Sequence, residues 1–198
     1  MATTYYFRST SNSVGSLGDE NHDLTLTTGT SSTQVYGGNP SGNFAYYTAT
    51  SDPNLTDWDT GDYTWYLDVI FANSNVELTS VRVSRYSSDF ATEKAFGSST
   101  VNLTLSSTGE KSGTVTFSSP NPAGRAASDR LVVQYLFTRV TGHGNQTIDA
   151  DVNGSADTRI DTPLTIGGGG EPVVEVQLFQ SYGNIHQNFD SNKNAIFG

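Results

Sequence analysis

The sequence predicts an all-β protein, a two-sheet antiparallel β-sandwich of about ten strands, and three observations carry that expectation. Residues alternate with period two along the whole chain, rich in β-branched and aromatic types and punctuated by Gly, Asn, Pro and Ser. Only 34% of the 198 residues are hydrophobic and 15% are charged, a balance shared by disordered chains and by β proteins with polar outer faces. Ten Tyr, ten Phe and two Trp decide between the two, because disordered chains are poor in the side chains that bury the most surface.

Strands are expected at residues 4–8, 24–28, 44–50, 63–71, 76–86, 100–105, 113–117, 130–140, 147–152 and 173–179. The pair 63–71 and 76–83 should be central. The link between them, Ala72-Asn73-Ser74-Asn75, is rich in turn formers and short enough for a hairpin. A second hairpin is expected from 101–105 and 114–117, whose link contains Gly109 and Gly113 to supply positive φ angles. Residues 131–137 (LVVQYLF) are nearly continuous in apolar character, as in a strand buried on both faces within a sandwich or at a subunit contact. The stretch before them, 121–128, is a loop. Residues 89–96 are the least sheet-like and are expected to form one helical turn.

One core suits this length, and the domain is expected to span 1–166. Four consecutive glycines at 167–170 make a linker that cannot itself pack. The segment 171–198 is too short for a core of its own. Its strand at 173–179 either closes the sandwich or docks on a neighbouring subunit as an added strand.

Charge narrows the function. Twenty acidic against ten basic residues give −10, and Arg82, Arg85, Arg125, Arg130, Arg139 and Arg159 are scattered, so nucleic acid is not an expected partner. No apolar run reaches the roughly 20 residues needed to cross a bilayer as a helix, so no membrane insertion is expected. Without Cys there is neither a disulfide nor a thiolate metal site.

Catalytic patterns are missing. There is no Gly-x-Ser-x-Gly elbow, and His22, His143 and His186 lack ligand-type spacing. Asp57-Trp58-Asp59 sets acids beside an aromatic able to stack on sugar, but it reads first as a solvated turn whose acids cap backbone amides. The string from Asp149 through Asp151, Asn153 and Gly154 to Asp157 reproduces the first half of a calcium loop. Its twelfth position is Ile160 where a bidentate Glu is required, so an EF-hand is excluded. Strand geometry offers another account: Ile148, Ala150 and Val152 face inward, Asp149, Asp151 and Asn153 face water, and Asn153-Gly154 turns. Calcium bound by those outward acids stays open as the second reading. Asn54, Asn102, Asn145 and Asn153 begin glycosylation-type triplets, which arise by chance in a chain so rich in Asn, Ser and Thr. Tyr46, Tyr47, Trp58, Tyr63, Trp65 and Tyr66 are candidate sugar platforms, with core packing as the simpler account for Tyr63 and Trp65. No catalytic, cofactor or metal residue is assigned.

Four segments carry a resemblance: 2–8 (ATTYYFR), 65–71 (WYLDVIF), 128–135 (SDRLVVQY) and 157–164 (DTRIDTPL). Together they resemble the jelly-roll-like virion structural proteins of tailed phages and archaeal tailed viruses. The resemblance covers roughly residues 2–166, and the linker and tail depart from it. It implies a jelly-roll-like sandwich and a non-enzymatic role as capsid decoration, turret or tail component, assembled in the host cytoplasm and displayed on the particle. The implied partners are copies of the chain itself and other virion proteins. The alternative is a carbohydrate-binding sandwich that attaches to a surface glycan through Trp58 and neighbouring tyrosines.

Overall fold

Alternation in sequence becomes alternation in burial. Along β5 (Asp62–Phe71), Tyr63, Trp65, Leu67 and Val69 are buried while Asp62, Thr64, Tyr66 and Asp68 lie toward the outside. The computed structural model describes residues 3–11, 17, 20–38, 43–49, 61–117, 124–126, 128–140, 142–144 and 146–163, with 20, 21, 38 and 43–49 by backbone alone. All belong to one compact unit, Met1–Ile166. The linker at 167–170, the arm 171–198 and its expected strand lie outside the described residues.

The other strands are β1 (Thr3–Ser11), β2 (Glu20–Thr25), β3 (Ser32–Gly38), β4 (Asn43–Ala49), β6 (Val76–Tyr86), β7 (Glu93–Thr104), β8 (Gly109–Thr116), β9 (Arg130–Arg139), β10 (Gln146–Val152) and β11 (Arg159–Thr162). No helix occurs among the described elements. One edge of β5 pairs with β8 along its length. The other edge meets β11 at Thr64–Tyr66 and β10 from Asp68 onward, so β10 and β11 act as a single strand interrupted at 153–158. Beyond β10 lies β3, and beyond β11 lies β1. The ladder then runs β1, β2, β4, β9, β6, β7. Among the described strands β2 and β4 pair in parallel and the other ladders are antiparallel, as the sequence predicts for the sandwich.

This ladder folds into two facing layers. Tyr135 on β9 packs against Phe7 on β1 and edge-on against Trp65 on β5, at centroid distances of 5.4 and 6.2 Å. Its hydroxyl donates to the Tyr66 carbonyl at 3.1 Å, and Tyr36 on β3 stacks on Phe137 at 4.8 Å. These rings, with Leu67, Val69, Val81, Val83, Leu131, Val133, Ile148 and Ile160, form the sandwich core. On β9, Leu131 through Tyr135 are all buried, as the continuous apolar run predicts.

Three local expectations are corrected. Strands β5 and β6 are central, yet they do not pair: 72–75 arches from one layer to the other. Likewise β7 pairs with β6 and β8 with β5, so 105–108 is a second arch and not a hairpin turn. At the sheet margin the β7 and β8 backbones nearly touch, since a Cβ on Gly97 would stand 2.2 Å from the Thr116 carbonyl oxygen. A hairpin instead joins β6 and β7, through the region expected to form a helical turn. There Ser87 and Thr92 close the loop by backbone hydrogen bonding at 2.9 Å, and Phe90 adopts φ 57° with its ring buried. A single helical turn recovers too little hydrogen bonding to compete with extending a ladder.

Candidate functional site

The string that resembles a calcium loop interrupts the β10/β11 strand. Ile148, Ala150 and Val152 point inward, as alternation predicts, and Asp149 and Asp151 lie on the outer face. Asn153 does not follow. It is buried with φ 78°, and its side-chain oxygen accepts from the Ser9 backbone N–H at 3.2 Å while its amide donates to the hydroxyls of Ser9 and Ser32. The expected outward Asn153 is thus a buried tie between β1 and β3 at the point where the strand changes partner. Asp157 is buried too, accepting from the Ser31 hydroxyl and the Gly154 N–H, each at 2.7 Å. Its carboxylate closes the loop as a cap. Among the described residues, no group of three or more His, Asp or Glu is arranged to hold a metal ion.

Outside this loop runs a row of acids. Asp68 pairs in register with Glu110 on one side and Asp151 on the other. Burial, and then repulsion from Asp151, Asp157 and Glu110, raises the Asp68 carboxyl above its ordinary value, only partly offset by Arg159. Asp151 is raised by burial and by Asp157. Arg159 is turned elsewhere, to Glu110 at 2.8 Å and to the carbonyls of Ala156 and Asp157, with its guanidinium 3.9 Å above the Tyr66 ring.

A second charged cluster is internal. Arg85 and Asp129 are almost fully buried and pair at 2.5 Å, while Lys94 reaches the other Asp129 oxygen at 2.6 Å. Arg85 also donates to the Gly124 carbonyl, and the Ala126 N–H donates to Asp129. Burial pushes the Asp129 carboxyl up, but the hydrogen bonds from Lys94, Ala126 and Arg85 together outweigh it and hold it below the ordinary value. Sequence reading took Arg85 as one of six scattered cations and missed this knot.

The aromatic candidates divide. Tyr63 and Trp65 belong to the core. Tyr66 lies under Arg159. Tyr46 and Tyr47 are in β4, described by backbone, and Trp58 with Asp57 and Asp59 lies outside the described residues. His22 is buried on β2 and His143 is exposed, while His186 is outside the described residues. Of the glycosylation-type triplets, Asn153 is buried and Asn102 exposed.

Two surface features remain. The first is a groove of about 290 Å³ on the outer face of β9, β6 and β7, lined by Ser80, Arg82, Ser98, Thr100, Gln134 and Leu136. Arg82 is committed within it, bonded to Glu93 at 2.5 and 3.1 Å with its guanidinium 3.8 Å over the Phe96 ring. The second is a set of exposed apolar side chains on the opposite layer, on either side of Asp149. Val35 on β3 and Phe71 on β5 both pair in register with Asp149 and are 48% and 52% exposed, and Ile70 is 42% exposed beside them. Among the described residues β3 pairs only with β10, so its other backbone edge is open.

No protein-family model and no curated protein matches the sequence. Among solved structures, two crystal structures of a CocE/NonD family hydrolase from Staphylococcus aureus are similar over 83% of this chain, at 9% and 10% identity with TM-scores of 0.47 and 0.42. The chain spans 36% and 37% of those chains, about a third of their length, and at such identity and score the hydrolase activity stays a property of those proteins.

Proposed function

We propose that this chain is a non-enzymatic structural protein that works by homo-oligomeric assembly, as a capsid decoration, turret or tail component of a tailed virus. The observation that carries the assembly reading is the outer edge of β3, which no other described strand covers, with Val35 exposed on that strand. Natural edge strands are usually guarded by charge, Pro or a bulge, and Ser32–Gly38 has no charged residue and no Pro. A second copy suits this edge. Two chains of charge −10 repel, and antiparallel pairing of β3 with its symmetry mate centres on Val35, the middle residue of the strand. In that arrangement the nearest acids on the strands behind, Asp149 and its mate, are three strand spacings apart, about 14 Å, beyond the roughly 8 Å screening length at physiological salt.

The non-enzymatic part rests on the sequence, which holds no Gly-x-Ser-x-Gly elbow and no ligand-type spacing of His22, His143 and His186. The virion assignment rests on the resemblance of the four segments, and capsid, portal or tail genes flanking its own would support it. Carbohydrate attachment through Trp58 is the second reading.

Native mass spectrometry and sedimentation velocity of the full chain test assembly. A discrete homo-oligomer is expected, with Val35→Lys shifting it to monomer while the circular dichroism spectrum is unchanged. A wild-type chain that stays monomeric across a wide range of concentration and salt overturns the reading.

A further inference from the structure

The groove on the outer face of β9, β6 and β7 has no part in edge assembly, and the inference from it stands apart from that reading. Register builds its floor. Ser80 pairs with Thr100 on one side and Leu136 on the other, and Arg82 likewise with Ser98 and Gln134, so six side chains converge on one face. Gln134 is only 7% exposed. Its amide and the hydroxyls of Ser80, Ser98 and Thr100 make no hydrogen bond with any other described residue. The body of Gln134 is buried while its amide opens onto the groove, where a ligand can reach it.

We propose that this groove binds a neutral, hydroxyl-rich ligand, a saccharide, with Gln134, Ser80, Ser98 and Thr100 as its hydrogen-bonding groups. Charge selects the class. Arg82 is neutralised by Glu93 and covered by Phe96, so among the described lining residues an anion finds no unpaired cation and a metal or an amine finds no carboxylate. What remains are groups that both donate and accept, matched to sugar hydroxyls, and Leu136 as an apolar contact for the C–H face of a pyranose ring. The volume lies at the small end of ligand sites, which span roughly 300–1,000 Å³, and suits a terminal or single internal residue of a glycan. These residues differ from Trp58 and its neighbours, so the two carbohydrate readings separate by mutation.

The test uses the full-length chain on a glycan array, followed by saturation-transfer NMR with galactose, glucose, mannose, N-acetylglucosamine and lactose, and with sialyllactose as the anionic control. Binding of at least one neutral saccharide is expected. Gln134→Leu should weaken it about tenfold or more. Thr100→Trp, which fills the groove from an exposed position, should abolish it even if the first variant folds poorly. Asp68→Asn, on the opposite layer, should leave it unchanged. No neutral saccharide bound, preference for the sialylated probe, or binding undiminished in Thr100→Trp each overturns the proposal.

Discussion

Asp129 and Asp68 each lie near an arginine in the folded chain, yet the first carboxyl is held below its ordinary value and the second is pushed above it. Depth of burial does not explain this. Asp129 is the more deeply buried residue, and desolvation by itself opposes its charge. The difference lies in the partners. Asp129 receives Arg85, Lys94 and the Ala126 amide, whereas Asp68 stands between Glu110 and Asp151 while Arg159 turns to Glu110. One cluster is an ion knot that fastens the segment before β9 onto β6 and β7. The other is an outward row of like charges that the fold tolerates.

The sharpest way to break the comparison is to empty the knot. Asp129→Ala removes the buried carboxylate that Arg85 and Lys94 share and that accepts from the Ala126 N–H, at a cost of about 3–5 kcal/mol. Urea denaturation followed by tryptophan fluorescence measures it. A loss below about 1 kcal/mol would mean that Arg85 reaches water or another acceptor, and the knot would then be a surface ion pair in energetic terms.

Neither cluster was legible as a cluster. Arg85 and Asp129 are 44 residues apart, one in an alternating strand and the other before an apolar run, and no local pattern links them. The acidic row was legible only in part, as Asp149 and Asp151 on one strand, because register with Asp68 and Glu110 is a tertiary fact. Strands dense in aromatic and β-branched residues were legible, and β6 occupies the residues its alternation predicts, Val76–Tyr86. The strands β3 and β11 were missed because STQVYGG and RIDT hold too few apolar residues to show a period. Both arches were read as hairpins because a short turn-rich link looks the same whether it joins neighbours or opposite layers. The groove residues Ser80, Ser98, Thr100 and Gln134 gave no signal in a chain full of Ser and Thr, and only pairing across three strands gathers them.

A smaller break acts on the loop behind the row. At Gly154 an added Cβ would stand 2.7 Å from both Asp157 carboxylate oxygens, so Gly154→Ala forces that carboxylate off the Ser31 hydroxyl and the Gly154 amide. The expected cost is about 1–3 kcal/mol. In a double-mutant cycle with Asp157→Ala the two losses should be markedly less than additive, since the second change removes what the first collides with. Additive losses would place the strain elsewhere.

The smallest expected effect has the opposite sign. A raised carboxyl means that the folded chain holds the Asp68 proton more tightly than the unfolded chain does. This group's contribution therefore falls as pH rises from the ordinary value of 3.8 through the folded value, and the penalty is complete above it. Asp129 runs the other way: its contribution is present above the ordinary value and is lost as pH falls through its depressed folded value. Asp68→Asn should therefore stabilise the chain at neutral pH by about 0.2–1 kcal/mol, the scale of one like-charge cross-strand contact. The gain should shrink as the solution is acidified toward about pH 4, and also as salt screens the row. Asp129→Asn should keep its full cost over that same range. Denaturation midpoints of the three proteins at neutral and acidic pH separate these behaviours, and an Asp68→Asn gain that is independent of both pH and salt would show that the row is not held under mutual repulsion.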